Sequence, residues 1–229
     1  DRLMSQMKVD LRLPSEPRHI ECFDNSNLQG SNPVAACVVF KNGKPSKKEY
    51  RHYNIKTVKG ADDFASMEEV VYRRYKRLLD ENKSLPQLVV IDGGKGQLTS
   101  ALKSLEILGL RGKIAIVGIA KRLEEIYFPQ DPVPLYLDKK SESLKAIQFL
   151  RNEAHRFGIN LHRNKRSKEA INSGLDIVQG IGPKTKETLL KKFKSFKRIK
   201  EASKEDLIEL IGHSKANSLF KKINEATNK

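Results

Sequence analysis

The stretch DDFASMEEVVYRRYKRLLDENKSLPQLVVID, residues 62–92, decides how this chain folds. Its first part repeats Phe64, Met67, Val70/Val71, Tyr75 and Leu78/Leu79 at helical spacing, the mark of an amphipathic helix. Asp62 and Asp63 stand at its start, where the positive end of a helix dipole favours acids. The period then gives way to the apolar run QLVVI at 87–91, stopped by Asp92-Gly93-Gly94, which reads as a buried strand. Upstream lie two further strand-like runs, RHIECFD at 18–24 and VAACVVF at 34–40. The Asn-Gly of KNGKP then turns the chain into a third strand near 47–55. Downstream follow a helix over about 95–109 and a buried strand at 113–119 (KIAIVGI). Short strand-like pieces near 125–128 and 134–137 precede a helix from about 142 to 157. This order predicts an α/β fold with a mixed sheet whose fourth strand runs parallel to the first, reached by a right-handed crossover. The carboxyl ends of those two strands then lie side by side, at the kind of switch point where open sheets bind ligands. Asp24 and Asp92 occupy those two ends.

Two carboxylates there can hold Mg²⁺ or Mn²⁺, which prefer oxygen ligands and leave room for water and a substrate phosphate. Such an ion activates water and stabilises a leaving oxygen. A single strand-end Asp more often just ends its strand or caps the next helix; two at one switch point put a metal on an equal footing. Asp62 and Asp63 read first as helix caps and second as support for that site. His155, on the helix ESLKAIQFLRNEAHRFGI at 142–159, shares a face with Gln148 and Arg151 beside the apolar stripe Ala146, Ile147, Leu150, Ala154 and Phe157. A lone histidine is usually a partly exposed polar residue, but imidazole can also ligate a metal or shuttle a proton. DGGKGQ departs from the Walker spacing and lacks its Ser/Thr, so it is not read as a nucleotide loop. Lys95 at the following helix start can still meet a backbone phosphate of DNA.

The 229 residues carry 44 Lys and Arg against 28 Asp and Glu, a net charge of +16. Such an excess favours a polyanionic partner, through counterion release. No apolar run approaches the roughly 20 residues needed to span a bilayer, and no membrane partner is expected. The start DRLMSQMKVD has no signal-peptide core and no initiator Met, so the chain is read as a cytoplasmic fragment of something longer. Cys22 and Cys37, far apart in apolar runs, read as buried thiols, neither zinc ligands nor a disulfide.

Residues 1–17 read as a polar leader or linker, and the polar, basic stretch 162–173 as the domain boundary. This gives a first domain over 18–164, a linker over 165–173 and a helical tail over 174–229. The tail has the form of a helix-hairpin-helix. Gly180-Ile181-Gly182 turns backbone N–H groups toward a DNA phosphate, Pro183 starts the next helix, and Lys184 and Thr185 follow. A second copy, Ile211-Gly212-His213-Ser214-Lys215, keeps one glycine, with Ser214 in place of the other. An ordinary helix-turn-helix packing unit is the alternative. Contacts of the hairpin kind grip the sugar-phosphate chain without reading bases.

FDNSNLQG, DDFASM, IDGGKGQL, GIAKR, RNEAHRFGI and GIGPKT, in that order, resemble the C-terminal half of the UvrC family, the C component of the ABC excinuclease. The resemblance covers the chain from about residue 18. It implies an RNase H-like domain with a mixed five-stranded sheet and flanking helices, followed by a small all-α tandem helix-hairpin-helix domain. It also implies a metal-dependent DNA endonuclease that makes the 5′ incision beside a lesion in bacterial nucleotide excision repair. Asp24, Asp92 and His155 then form its catalytic triad around Mg²⁺ or Mn²⁺, and a further family acid maps to Asp62 or Asp63. Lys95, Arg122, Gly180, Gly182, Lys184, Thr185, Gly212 and Lys215 are the expected DNA contacts. The expected partners are double-stranded DNA carrying a lesion or nick and the helicase component UvrB. The family's GIY-YIG nuclease and its UvrB-engaging segment are expected to lie outside this stretch. The rival readings are an inactive RNase H-like DNA-binding module and a junction resolvase or Argonaute-like slicer on the same fold.

Overall fold

The computed structural model describes residues 1–26, 33–176 and 178–227, so residues 27–30 of the FDNSNLQG motif lie outside the described residues. The chain divides into two compact units, Asp1–Asn160 and Leu161–Lys229.

The first unit opens with α1 (Arg2–Asp10), where a polar leader is expected. Met4 and Met7, with Leu11 and Leu13 just beyond, are buried in the core. Met4, Met7 and Leu11 repeat at three and four residues, a helical stripe in a segment too short and too polar to stand out. Ser143 Oγ donates to Asp10 Oδ2 at 2.6 Å. Then come β1 (His19–Ser26), β2 (Val34–Lys41), the two-residue β3 (Lys44–Pro45) and β4 (Arg51–Asn54). α2 (Asp63–Asp80) follows, and Asp62 caps it by accepting from the N–H groups of Phe64 and Ala65. β5 (Leu88–Asp92), α3 (Lys95–Ile107), β6 (Ala115–Ile119) and the two-residue β7 (Ile126–Tyr127) complete the run before α4 (Glu142–Asp176).

Among the described residues these strands form one sheet in the order β3-β2-β1-β5-β6-β7, with β4 also pairing β2. Five longer strands are joined by the short β3 and β7. β1 pairs β2 antiparallel and β5 parallel, and β5 pairs β6 parallel. All five residues of β5 are buried, as a central parallel strand with both faces covered requires. α2 places Met67, Val70, Val71, Tyr75 and Leu78 in the core, and α4 adds Leu144, Ile147, Leu150 and Ala154.

The sequence pattern ends the last helix of this unit near 157, yet α4 runs on to Asp176. Residues 162–173 offer few apolar side chains, but they hold good helix formers (Lys, Arg, Glu, Ala), and propensity needs no buried face. Ile171 and Leu175 from its end belong to the second unit's core. There α5 (Pro183–Phe193), α6 (Phe196–Glu201), α7 (Lys204–Ile211) and α8 (His213–Thr227) pack around Leu189, Ile199, Leu207, Ala216, Leu219 and Ile223.

Candidate metal centre

The parallel ladder of β1 and β5 pairs Cys22 with Val90 and Phe23 with Ile91, so the next residues, Asp24 and Asp92, meet at the ends of adjacent strands. Both are buried. His155 reaches them from α4, and its Nδ1 lies 3.0 Å from Asp24 Oδ2. One ligand atom from each of Asp24, Asp92 and His155 falls within 4.8 Å of the others. With Asp24 ionised, the carboxylate can only accept, so Nδ1 is the donor in this contact and Nε2 is the ring nitrogen left for other partners. The histidine side chain is 46% exposed against 5% for Asp24; the imidazole is the open side of the cluster.

Asp92 is the electrostatic centre. Both of its carboxylate oxygens are buried with no donor among the described residues, a costly state for a charged group. Burial first, and the Asp24 charge second, push its pKa up to about 6 from 3.8, while Lys121 and Arg151 draw it part of the way back. Either a proton shared between the two carboxylates or a cation between them removes the deficit. Two acidic oxygens and an imidazole nitrogen make a donor set suited to a divalent metal of the Mg²⁺ or Mn²⁺ class. The residues present therefore fit such an ion.

The surroundings include groups that pattern reading passes over. Arg151 Nη1 donates to Glu124 Oε2 at 2.8 Å, one helical turn before His155. Glu124 and Leu123 both have left-handed backbone, φ 54° and 65°, in the turn that follows β6. Gly118 of β6 passes so close to the Asp92 loop that a Cβ there would lie 2.9 Å from the Gly93 carbonyl oxygen. On the opposite face of β1, fully buried Glu21 accepts from Arg74 Nε at 3.1 Å, Arg74 Nη2 at 2.6 Å and Tyr75 OH at 2.9 Å. His19 Nε2 lies 3.1 Å away. Burial pushes Glu21 upward, but His19 and Arg74 outweigh it and hold the carboxyl down at about 2. An acid inside an apolar strand run was the available signal, because a buried charge demands partners.

The other expected site residues fall elsewhere. Asp62 spends its carboxylate on the α2 cap, and Asp63 accepts at its carbonyl from Asn25 Nδ2; neither belongs to the metal cluster. Lys95 and Arg122 are exposed, and Lys95 Nζ lies 5.3 Å from the Tyr127 ring centroid. In the second unit Gly180 has φ 85°, and Gly182 precedes Pro183 as the N-cap of α5. Lys184 is exposed, but Thr185 is buried and accepts from Lys215 Nζ at 3.1 Å. The two hairpins align differently from the sequence reading. Lys186 N–H donates to the Gly182 carbonyl and Ala216 N–H to that of Gly212, so Gly212 matches Gly182. Ser214 then sits in the first turn of α8, and Leu210 stands where the first hairpin has Gly180. Because α7 continues to Ile211 and α8 starts at His213, Gly212, at φ 83°, ends one helix and begins the next. Thr185 and Lys215 are equivalent positions that bond each other.

Comparison with known proteins gives two family matches, the UvrC RNAse H endonuclease domain over residues 8–159 and the SAM-like helix-hairpin-helix tandem over residues 173–225. "UvrABC system protein C" of Christiangramia forsetii is 71% identical over 216 residues, 94% of this chain and 36% of that protein. The protein of the same name from Flavobacterium johnsoniae is 69% identical over 219 residues, 96% of this chain and 37% of that protein. The chain thus spans little more than a third of the length of these relatives. A crystal structure of human ENDOV is 14% identical, with a TM-score of 0.42 over 72% of this chain and 97% of that one, a likeness too slight to carry an argument.

Proposed function

The chain belongs to the UvrC family, and we propose that it is a metal-dependent DNA endonuclease making the 5′ incision beside a lesion in bacterial nucleotide excision repair. The observation that carries this reading is the pair of buried carboxylates at adjacent strand ends, with neither oxygen of Asp92 met by a donor among the described residues. A bound Mg²⁺ or Mn²⁺ would supply Lewis acidity and an activated water there. Asp24 and Asp92 would hold it through oxygens, with the His155 imidazole on the open side. Asp24 Oδ2 fixes the His155 ring through Nδ1, leaving Nε2 to ligate the ion or move a proton at the scissile phosphate. Lys121 and Arg151 bring positive charge to Asp92 and favour a phosphate beside it.

The working parts in this reading are an RNase H-like domain in the unit Asp1–Asn160, whose core includes α1, and a tandem hairpin domain in the unit Leu161–Lys229. Gly180, Gly182 and Lys184 present backbone N–H and charge to DNA phosphates without sequence preference, with Lys95 and Arg122 as contacts in the first domain. The Gly212 N–H is donated to the Ile208 carbonyl, so the second hairpin offers the N–H groups of the residues just after Gly212, in the first turn of α8. Thr185 and Lys215 brace the two hairpins against each other. The substrate is double-stranded DNA with a lesion or nick, the protein partner is UvrB, and the compartment is the cytoplasm. The test is a nicking assay on damaged or nicked duplex with Mn²⁺, comparing the chain with Asp92→Ala. Nicking by the parent chain and its loss in the variant are expected; cleavage indifferent to the substitution overturns the mechanism.

A further inference from the structure

Phe64, the second residue of α2, is 55% exposed, although it is bracketed by the supports of both acids. On one side Asn25, the neighbour of Asp24, donates through Nδ2 to the carbonyl of Asp63 at 2.9 Å. On the other, the ring lies against the first turn of α3, which begins three residues after Asp92. A Cβ on Gly96 would meet ring carbons Cε1 and Cζ at 2.6 and 2.7 Å, with Cδ1 next at 3.4 Å. One edge of the ring is thus seated on bare backbone, while more than half of the residue stays exposed. This gives the last glycine of GGKG a purpose other than phosphate cradling: it is the seat of Phe64.

An exposed aromatic ring needs no explanation by itself. Here its position supplies one. It stands between the residues that follow Asp24 and those that follow Asp92, beside exposed Lys95, in a chain of net charge +16. A strand whose phosphodiester rests on the two acids brings its own bases alongside, and a base offers a π-face to any aromatic side chain in reach. We propose that Phe64 stacks on a nucleobase flanking the scissile phosphate and so sets which phosphodiester of the strand rests on Asp24 and Asp92. This inference rests on the nuclease reading above. Phe64 is a positioning residue: it grips the strand and leaves the chemistry to the acids.

The experiment uses the full 229-residue chain and a set of nicked duplexes, each with a single 2-aminopurine at one position around the cleavage site, in Mg²⁺. One position should change its fluorescence on binding. Phe64→Leu, which keeps apolar contact with Gly96, should abolish the change at that position alone and raise KM for nicking about fivefold or more with kcat little altered. Phe64→Tyr should restore both, and thermal melts confirm that each variant is folded. A Phe64→Leu variant that leaves every position unchanged, or that alters all positions equally, overturns the proposal. The fluorescence does not depend on cleavage. Parent chain that fails to nick yet keeps a Phe64-dependent signal at one position removes the nuclease reading and retains the stacking; nicking without that signal does the reverse.

Discussion

Asp92 holds two carboxylate oxygens where no described group donates to either, and that deficit has a thermodynamic sign. The folded carboxyl keeps its proton up to about pH 6, whereas an ordinary aspartic acid releases it near 3.8. Between those values the folded state binds more protons than the unfolded one, so the metal-free protein loses stability as pH rises from about 4 through 6. Above that range the full penalty remains. Asp92→Asn should therefore stabilise the metal-free protein at pH 7, by on the order of 1–3 kcal/mol, while abolishing nicking. Mn²⁺ should raise the melting temperature of the parent chain, since a ligand that binds only the folded state stabilises it by mass action. It should not do so for the variant. Calorimetry with and without metal checks both; a variant that melts lower than the parent in metal-free buffer contradicts the account. The two acids were legible in the sequence because strand order alone puts them at one switch point. His155 was not, since nothing in helix periodicity says which strand ends a helix will cross, and only the family resemblance singled it out.

At the scale of elements, the Glu21 cluster is the lock between β1 and α2, and it sits three residues before Asp24 on the opposite face of the strand. Arg74 answers Glu21 with two N–H groups at 2.6 and 3.1 Å, and Tyr75 adds a third donor. Removing the guanidinium leaves a buried charge without its main partner, which typically costs roughly 3–5 kcal/mol. Arg74→Leu should show that loss in urea melts. The cluster also sets an acid limit. With the folded carboxyl held at about 2 against an ordinary 4.5, its contribution is complete above about pH 4.5 and disappears as pH falls through 2. Acid titration of stability should steepen in that window for the parent chain and flatten for Glu21→Gln; equal slopes contradict the assignment. α2 itself could be read from the sequence because its apolar stripe repeats over 18 residues and its cap stands in plain view at Asp62. α1 and the far end of α4 could not, for opposite reasons. The nine residues of α1 hold only two turns of pattern, and the polar part of α4 has few apolar residues in its sequence, so periodicity has little to report there. The paired hairpins misled differently, since Gly212 does in one residue what Gly180 and Gly182 share between two.

At the scale of the whole molecule, the two units have separate cores, so the acids and the hairpins can be tested apart. The net charge of +16 does not say which unit grips DNA, but the salt dependence of binding does. Each phosphate neutralised releases counterions and adds about 0.9 to the slope of log affinity against log salt on duplex DNA. If the hairpins at Gly180 and Gly212 hold phosphates, deletion of residues 171–229 must weaken binding and lower that slope by about one step for each phosphate let go. The first unit keeps its own core, from Met4 to Ala154, and should still melt cooperatively. Its residual nicking should then need more enzyme and respond less to salt, without a change in the requirement for Asp92. The point variant Gly180→Ala probes the same grip without deleting anything. At φ 85° a Cβ is strained in the left-handed region even though, among the described residues beyond its own chain neighbours, no atom lies within 4 Å of it. Its binding slope should fall by less than that of the deletion. Identical affinity and identical slope for the chain with and without residues 171–229 would instead make the tail a packing unit, and the DNA grip would belong wholly to the sheet and its loops.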